Sequence, residues 1–218
     1  MAIMSNVDKI FLRSKGPVEF AGEYAEYFGS SLKTLDFKAI GQVIEVFFRA
    51  REGGHRIFFI GNGGSAATAS HFANDVAIGT RSTSKPFKAI SLTDNNAIIT
   101  AIANDDGYDQ IFVKQLEVLM ERGDVVVAIS ASGNSPNVVK AVELANFVGN
   151  TTVGFTGFDG GKLRQLCTHV VHIGTDRGEY GPVEAMHVVL VHLIGNYLLK
   201  AVEKEKASAA NPGARAVG

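Results

Sequence analysis

The stretch Phe58-Phe59-Ile60-Gly61-Asn62-Gly63-Gly64-Ser65-Ala66 runs from a short apolar segment into glycines and a serine, and helical spacing then carries the chain to His71 and Asp75. A second segment, Val126-Val127-Ala128-Ile129-Ser130-Ala131-Ser132-Gly133-Asn134-Ser135, repeats the plan of buried strand, small-residue loop and helix. Such a loop leaves free backbone N–H groups at a helix N-terminus, where an anion is well held. Gly61 to Ala66 also match the G-x-G-x-x-A dinucleotide fingerprint, which taken alone is weak. That motif wants an acidic residue about twenty positions further on to hold a ribose hydroxyl. Here Arg81 and a Ser/Thr/Lys stretch occupy that place, and Asp94 comes late. The second loop decides more. Helix capping and turn formation explain one of its serines and Gly133 but leave Ser130, Ser132 and Ser135 in surplus. The surplus predicts a cradle for a phosphorylated ligand.

Outward from these loops, β-rich runs at 56–60, 88–92, 125–130, 151–156 and 170–173 alternate with helical spacing. That alternation predicts an α/β fold, a parallel sheet flanked by helices. From Val18 to about Glu52, apolar residues recur at three-and-four spacing and predict one or two amphipathic helices, with Asp36 capping the second. Pro182 is expected near the start of a last helix reaching about Glu205, apolar on every side and buried, between subunits. The chain thus divides into a helical segment, 1–52, packing on the same domain, a sheet domain, 53–205, and a flexible tail, 206–218.

The 218 residues are 46% hydrophobic, enough for a real core, and the formal charge of −1 with no Lys/Arg block argues against nucleic acid or a membrane surface as partner. Asp8, Lys9, Arg13, Lys15 and Glu19 interrupt any apolar start, and no apolar run is expected to span a bilayer, so the expected location is the cytoplasm. Cys167 is the one cysteine. An intrachain disulfide and a Cys-based zinc site are both excluded.

Gly61-Asn-Gly-Gly-Ser65, Ser130-Ala-Ser-Gly-Asn-Ser135 and Thr156-Gly-Phe-Asp-Gly-Gly-Lys162 together resemble the sugar isomerase (SIS) domain family, in its phosphoheptose isomerase branch. The resemblance covers roughly Phe20 to Glu203. It implies a flavodoxin-like three-layer sandwich with a five-stranded parallel sheet, a homotetramer with shared active sites, and interconversion of sedoheptulose 7-phosphate with a heptose 7-phosphate aldose in heptose biosynthesis. It further implies phosphate binding by Ser65, Ser130, Ser132 and Ser135, with Asn62, Gly63, Gly64 and Ala131 in the same loops, and a sugar contact from Asp105. The bland alternative for Asn104-Asp105-Asp106 is a helix cap.

Aldose–ketose isomerisation needs a base for a carbon-bound proton and an acid for the neighbouring oxygen. His71 and Asp75, four apart, stack on one helix face. Glu184 and His192, eight apart, fall within about a quarter-turn at 3.6 residues per turn. The family has glutamate where this chain has Asp75, glutamine where it has Glu184, and Ser-Thr-Ser where it has Ser130-Ala131-Ser132. Asp75 is expected as base, His192 as acid or ligand, and Glu184 as a ligand or the competing base. His71, Asp75, Glu184 and His192 form a nitrogen and oxygen set suited to zinc or another divalent metal. His187, one turn beyond Glu184, is a candidate for orienting one of these groups, whereas His55, His169 and His172 are expected to be structural or exposed. Two rivals stand beside the isomerase: a non-catalytic SIS protein binding sugar phosphate or a partner protein, as replication-initiator-associating members do, and an isomerase of a different phosphosugar.

Overall fold

Along the central strands, successive residues face opposite helical layers, as the two-residue period of a strand requires. Ile57, Phe59, Val125, Val127, Val153 and Phe155 join one core with residues of α3 (Phe37–Gly53), α4 (Gly64–Asn74) and α9 (Tyr180–Ala210). Phe58, Ile60, Val126 and Ala128 join the other with α5 (Asn96–Asp105), α6 (Val113–Leu119), α7 (Pro136–Phe147) and the short α8 (Leu163–Leu166). The result is a three-layer α/β sandwich. Phe58 and Phe59 have no exposed surface, and burying each contributes roughly 1.5–3 kcal/mol. The structure, a computed structural model, describes residues 4–210.

The strands are β1 (Arg56–Gly61), β2 (Lys88–Ser91), β3 (Val125–Ser130), β4 (Thr151–Gly157) and β5 (His169–Ile173). All pair in parallel, in the order β2-β1-β3-β4-β5. Each expected run becomes a strand with its ends shifted by one residue at most. The order reverses between β1 and β3, and in such open sheets the crevice beyond the strand ends at that switch point receives the ligand. Gly61 pairs with Ile129, so the two Gly/Ser loops start level on either side of it.

The N-terminal segment forms α2 (Pro17–Leu32) and α3, and the Asp36 carboxylate accepts from the N–H groups of Lys38 and Ala39 as expected. A further helix, α1 (Asn6–Arg13), was not anticipated; Ser5 and Asp8 close a capping box at its start. The last helix departs from expectation in three ways. It begins at Tyr180, with Pro182 near its start as expected, but continues to Ala210, so 206–210 are helical rather than tail, and 211–218 lie outside the described residues. Within one chain its apolar residues are not buried on every side: Val183, Met186, Leu190, Val191, Ile194, Leu198 and Val202 form one buried stripe, while Leu193 and Tyr197 stay 36% and 56% exposed. Finally, it is long and apolar enough to cross a membrane, with an 18-residue window of mean hydropathy 1.5. Of that window, 44% is buried within the chain.

Candidate active site

The β1–α4 and β3–α7 loops are tied together across the switch point by a reciprocal amide pair. Asn62 Nδ2 donates to Asn137 Oδ1 at 2.9 Å, and Asn137 Nδ2 donates to Asn62 Oδ1 at 2.8 Å. Tyr108 adds its hydroxyl to Asn62 Oδ1 at 3.1 Å. A cavity of about 140 Å³ lies between the loops, lined by Asn62, Ser65, Ser130, Ala131, Ser132, Ser135, Tyr180 and Glu184. Ser65 is 5% exposed in the first turn of α4, behind Gly63 at a φ of 54°. Ser135 is the N-cap of α7 yet makes no capping bond with its side chain, and Ser130 Oγ lies 3.5 Å away. Ser130 and Ser132 accept from the N–H groups of Gly133 and Asn134 at 3.1 and 3.3 Å, which fixes the loop and leaves their hydroxyl hydrogens to a ligand. Gly133 is obligatory. Its φ is 64°, and a Cβ there would lie 2.0 Å from the carbonyl oxygen of Gly160.

The helices α4 and α9 run side by side, and the other candidate residues lie along their seam. At the cradle end the Glu184 carboxylate covers Gly64, where an added Cβ would come within 2.4 Å of it. Further on, the His71 and His192 rings meet edge to face at 4.9 Å. His71 Nε2 is 3.4 Å from Asp75 Oδ2, and Asp75 in turn faces Gly195. Asp75 begins a π-helical turn, Asp75–Gly79, a distortion frequent at functional sites. His71, Asp75 and His192 each offer one ligand atom, all within 4.8 Å of one another.

Within one chain Glu184 is not in that group, so three of the four expected ligands come together. Angular proximity on a helix ignores axial rise: eight residues separate Glu184 from His192 by about 12 Å. Glu184 instead lines both the cradle and a neighbouring cleft of about 370 Å³ that includes His71. Asp105 ends α5, with Asn104 donating to it at 2.7 Å, while Asn95 caps that helix's start. A helix C-terminus is no place to stabilise a carboxylate, so the capping alternative fails.

His187 orients nothing. It is 2% exposed, neither ring nitrogen has a hydrogen-bond partner among the described residues, and Phe155 packs on it edge to face at 6.2 Å. Burial pushes its pKa down to about 4 from 6.5, with the Thr156 backbone pulling the other way without forming a hydrogen bond of normal geometry. The folded chain therefore keeps the ring neutral. Its contribution is complete above about pH 6.5 and is lost as pH falls toward 4, about 3 kcal/mol across that window. Replacing His187 by Leu should flatten the acid limb of the unfolding free energy measured in urea between those values; parallel limbs in parent and variant would remove the assignment. Of the other histidines, His172 Nδ1 is 3.0 Å from Thr156 Oγ1 and His55 lies 4.0 Å from Asp124. Burial pushes the Cys167 thiol up to about 12, so it is unreactive.

Asn137, Tyr108 and Tyr180 were not singled out from sequence. Asn137 lies within Ser135-Pro136-Asn137, and its position just inside a helix behind a proline was the available signal.

The SIS domain model matches residues 23–157. A protein of Thermoplasma acidophilum named "Probable phosphoheptose isomerase" is 37% identical over 174 residues, 80% of this chain and 94% of the relative. The phosphoheptose isomerase of Nitratidesulfovibrio vulgaris is 44% identical over 141 residues, 65% of this chain and 67% of the relative. Among solved structures, the phosphoheptose isomerase of Neisseria gonorrhoeae superimposes with a TM-score of 0.72 at 32% identity, covering 82% of this chain and 95% of that one.

Proposed function

We infer, because this chain belongs to the SIS domain family and within it to the phosphoheptose isomerases, that it is an aldose–ketose isomerase. Its reaction interconverts sedoheptulose 7-phosphate and a heptose 7-phosphate aldose through an enediol. The observation that carries this beyond family membership is the pairing of a Ser-rich cradle at the switch point with a His–Asp–His cluster on the adjoining helices. A protein that only binds sugar phosphate has use for the first and none for the second.

In this reading Ser65, Ser130, Ser132 and Ser135, with the amides at Gly63 and Gly64, hold the phosphate, and Asp105 accepts from a sugar hydroxyl. Asp75 takes the proton from the carbon next to the carbonyl and His192 serves the neighbouring oxygen, while His71 fixes the orientation of the Asp75 carboxylate. Glu184 covers Gly64 at the cradle, about 12 Å along the helix from the His192 of its own copy. The nitrogen and oxygen donors of His71, Asp75 and His192 fit a divalent ion such as zinc. Bound there, such an ion would stabilise negative charge developing on a sugar oxygen.

A cytoplasmic homotetramer with shared sites completes the reading. Ser65 and Asp75 are ten residues apart, about 15 Å along the helix. The seven bonds from phosphorus to C2 of a ketose 7-phosphate extend to about 8 Å, taking ~1.2 Å per bond from the extended peptide chain. The gap supports a cradle from one copy working with the His–Asp–His cluster of another, and the exposed Leu193 and Tyr197 beside His192 offer that copy an apolar surface. The cradle is tested by Ser132→Ala and Ser135→Ala. Each should weaken sedoheptulose 7-phosphate binding by about 1.5–3 kcal/mol and leave unphosphorylated sedoheptulose nearly unaffected; equal losses for both sugars would remove the phosphate role.

A further inference from the structure

The wall of the cradle contains one residue whose placement is built by the rest of the chain. Tyr180, the first residue of α9, lines the cavity with Ser132 and Ser135 and remains 53% exposed. Its ring stands edge to face on Phe158, with centroids 5.0 Å apart and planes at 85°. Phe158 is 8% exposed, packs with Ala131 and Val183, and has a φ of 52°. A bulky residue in the left-handed region is an outlier that persists only where its surroundings enforce it, and such residues cluster at ligand sites. On the other side, the backbone entering Tyr180 is anchored by Glu179, 3% exposed. That carboxylate accepts from the N–H of Val7 at 3.0 Å, the hydroxyl of Tyr27 at 2.6 Å and the N–H of Asp176 at 3.2 Å. Three hydrogen bonds from separate parts of the chain leave the turn before Tyr180 little freedom.

We propose that Tyr180 is a phosphate-ester-binding residue of this site, its phenol held at the mouth of the cradle by Phe158 on one side and the Glu179 anchor on the other. The inference rests on the phosphosugar reading above. A phenol donates one O–H, and donation to a charged phosphate oxygen is stronger than to a neutral acceptor. The serines supply donors from the floor of the cavity, and Tyr180 supplies one from its open side. The ring, too, covers surface that water would otherwise reach. Glu179 acts through Tyr180 and is a positioning residue.

Calorimetric titration of the full-length protein with inorganic phosphate and with sedoheptulose 7-phosphate tests this, with Ser135→Ala as the control for the cradle. Tyr180→Phe should bind both about ten-fold more weakly, raise KM by the same factor and lower kcat much less, with an unchanged melting temperature. If Ser135→Ala weakens binding and Tyr180→Phe does not, the role of Tyr180 is refuted while the cradle stands. If neither variant weakens binding, the phosphosugar reading fails with it. Glu179→Gln should raise KM as Tyr180→Phe does, and the double variant should show no further rise. A Glu179→Gln protein with lower thermal stability but the parent's KM would reduce Glu179 to a structural role.

Discussion

Replacing Asp75 by Asn is expected to slow solvent deuterium exchange into sedoheptulose 7-phosphate about 10²–10⁴-fold, the share that a positioned general base supplies. Asn keeps the shape of the side chain, and Asp75 lies at the far end of α4 from Ser65, so binding of the phosphosugar should stay near the parent value. Glu184→Gln should be mild by comparison. The geometry motivates this order: Asp75 shares its cluster with two histidines, whereas Glu184 covers Gly64 at the cradle end of the seam. NMR of the sugar in heavy water reads the exchange directly, with metal content measured in each variant. Exchange lost in Glu184→Gln and kept in Asp75→Asn would transfer the base role to Glu184.

The second large effect concerns assembly. Ser132→Ala/Ser135→Ala and Asp75→Asn chains should each be nearly inactive alone, yet co-expressed in equal amounts they should recover about a quarter of parental turnover. In a symmetric assembly with shared sites, half of the cradles are intact, and half of those face an intact Asp75. A site built within one copy predicts no recovery, since every chain then carries a defect of its own. Mixed oligomers isolated through two different tags and assayed for ketose consumption separate the outcomes, and light scattering on the parent protein checks the tetramer itself.

The sheet was legible because each strand is a run of β-branched and aromatic residues punctuated by Gly, Ser or Asn, and both faces of β1 and β3 are buried. Local chemistry of the same kind made the two loops and the His71–Asp75 pair readable. What escaped was set by distance in the chain or by length along an axis. Asn62 and Asn137 are 75 residues apart, and nothing near either one announces the other. Helical phase placed Glu184 and His192 on one side of α9 but said nothing of the rise between them. His187 belongs to the apolar stripe by the same periodicity that marks Met186 and Leu190. Its chemistry suggested a site, and its position made it core. The capping box of α1 covers four residues amid charges, too short a signal to separate from a solvated terminus.

The anchor at Glu179 has a consequence for how the chain is made. Val7 and Tyr27 meet a partner that is 172 and 152 residues further on, and at about 5–20 residues per second a ribosome needs on the order of 10–35 s to reach it. Through that interval α1 and α2 exist without their anchor. The first helices of this protein thus gain these two hydrogen bonds only after most of the chain has been made.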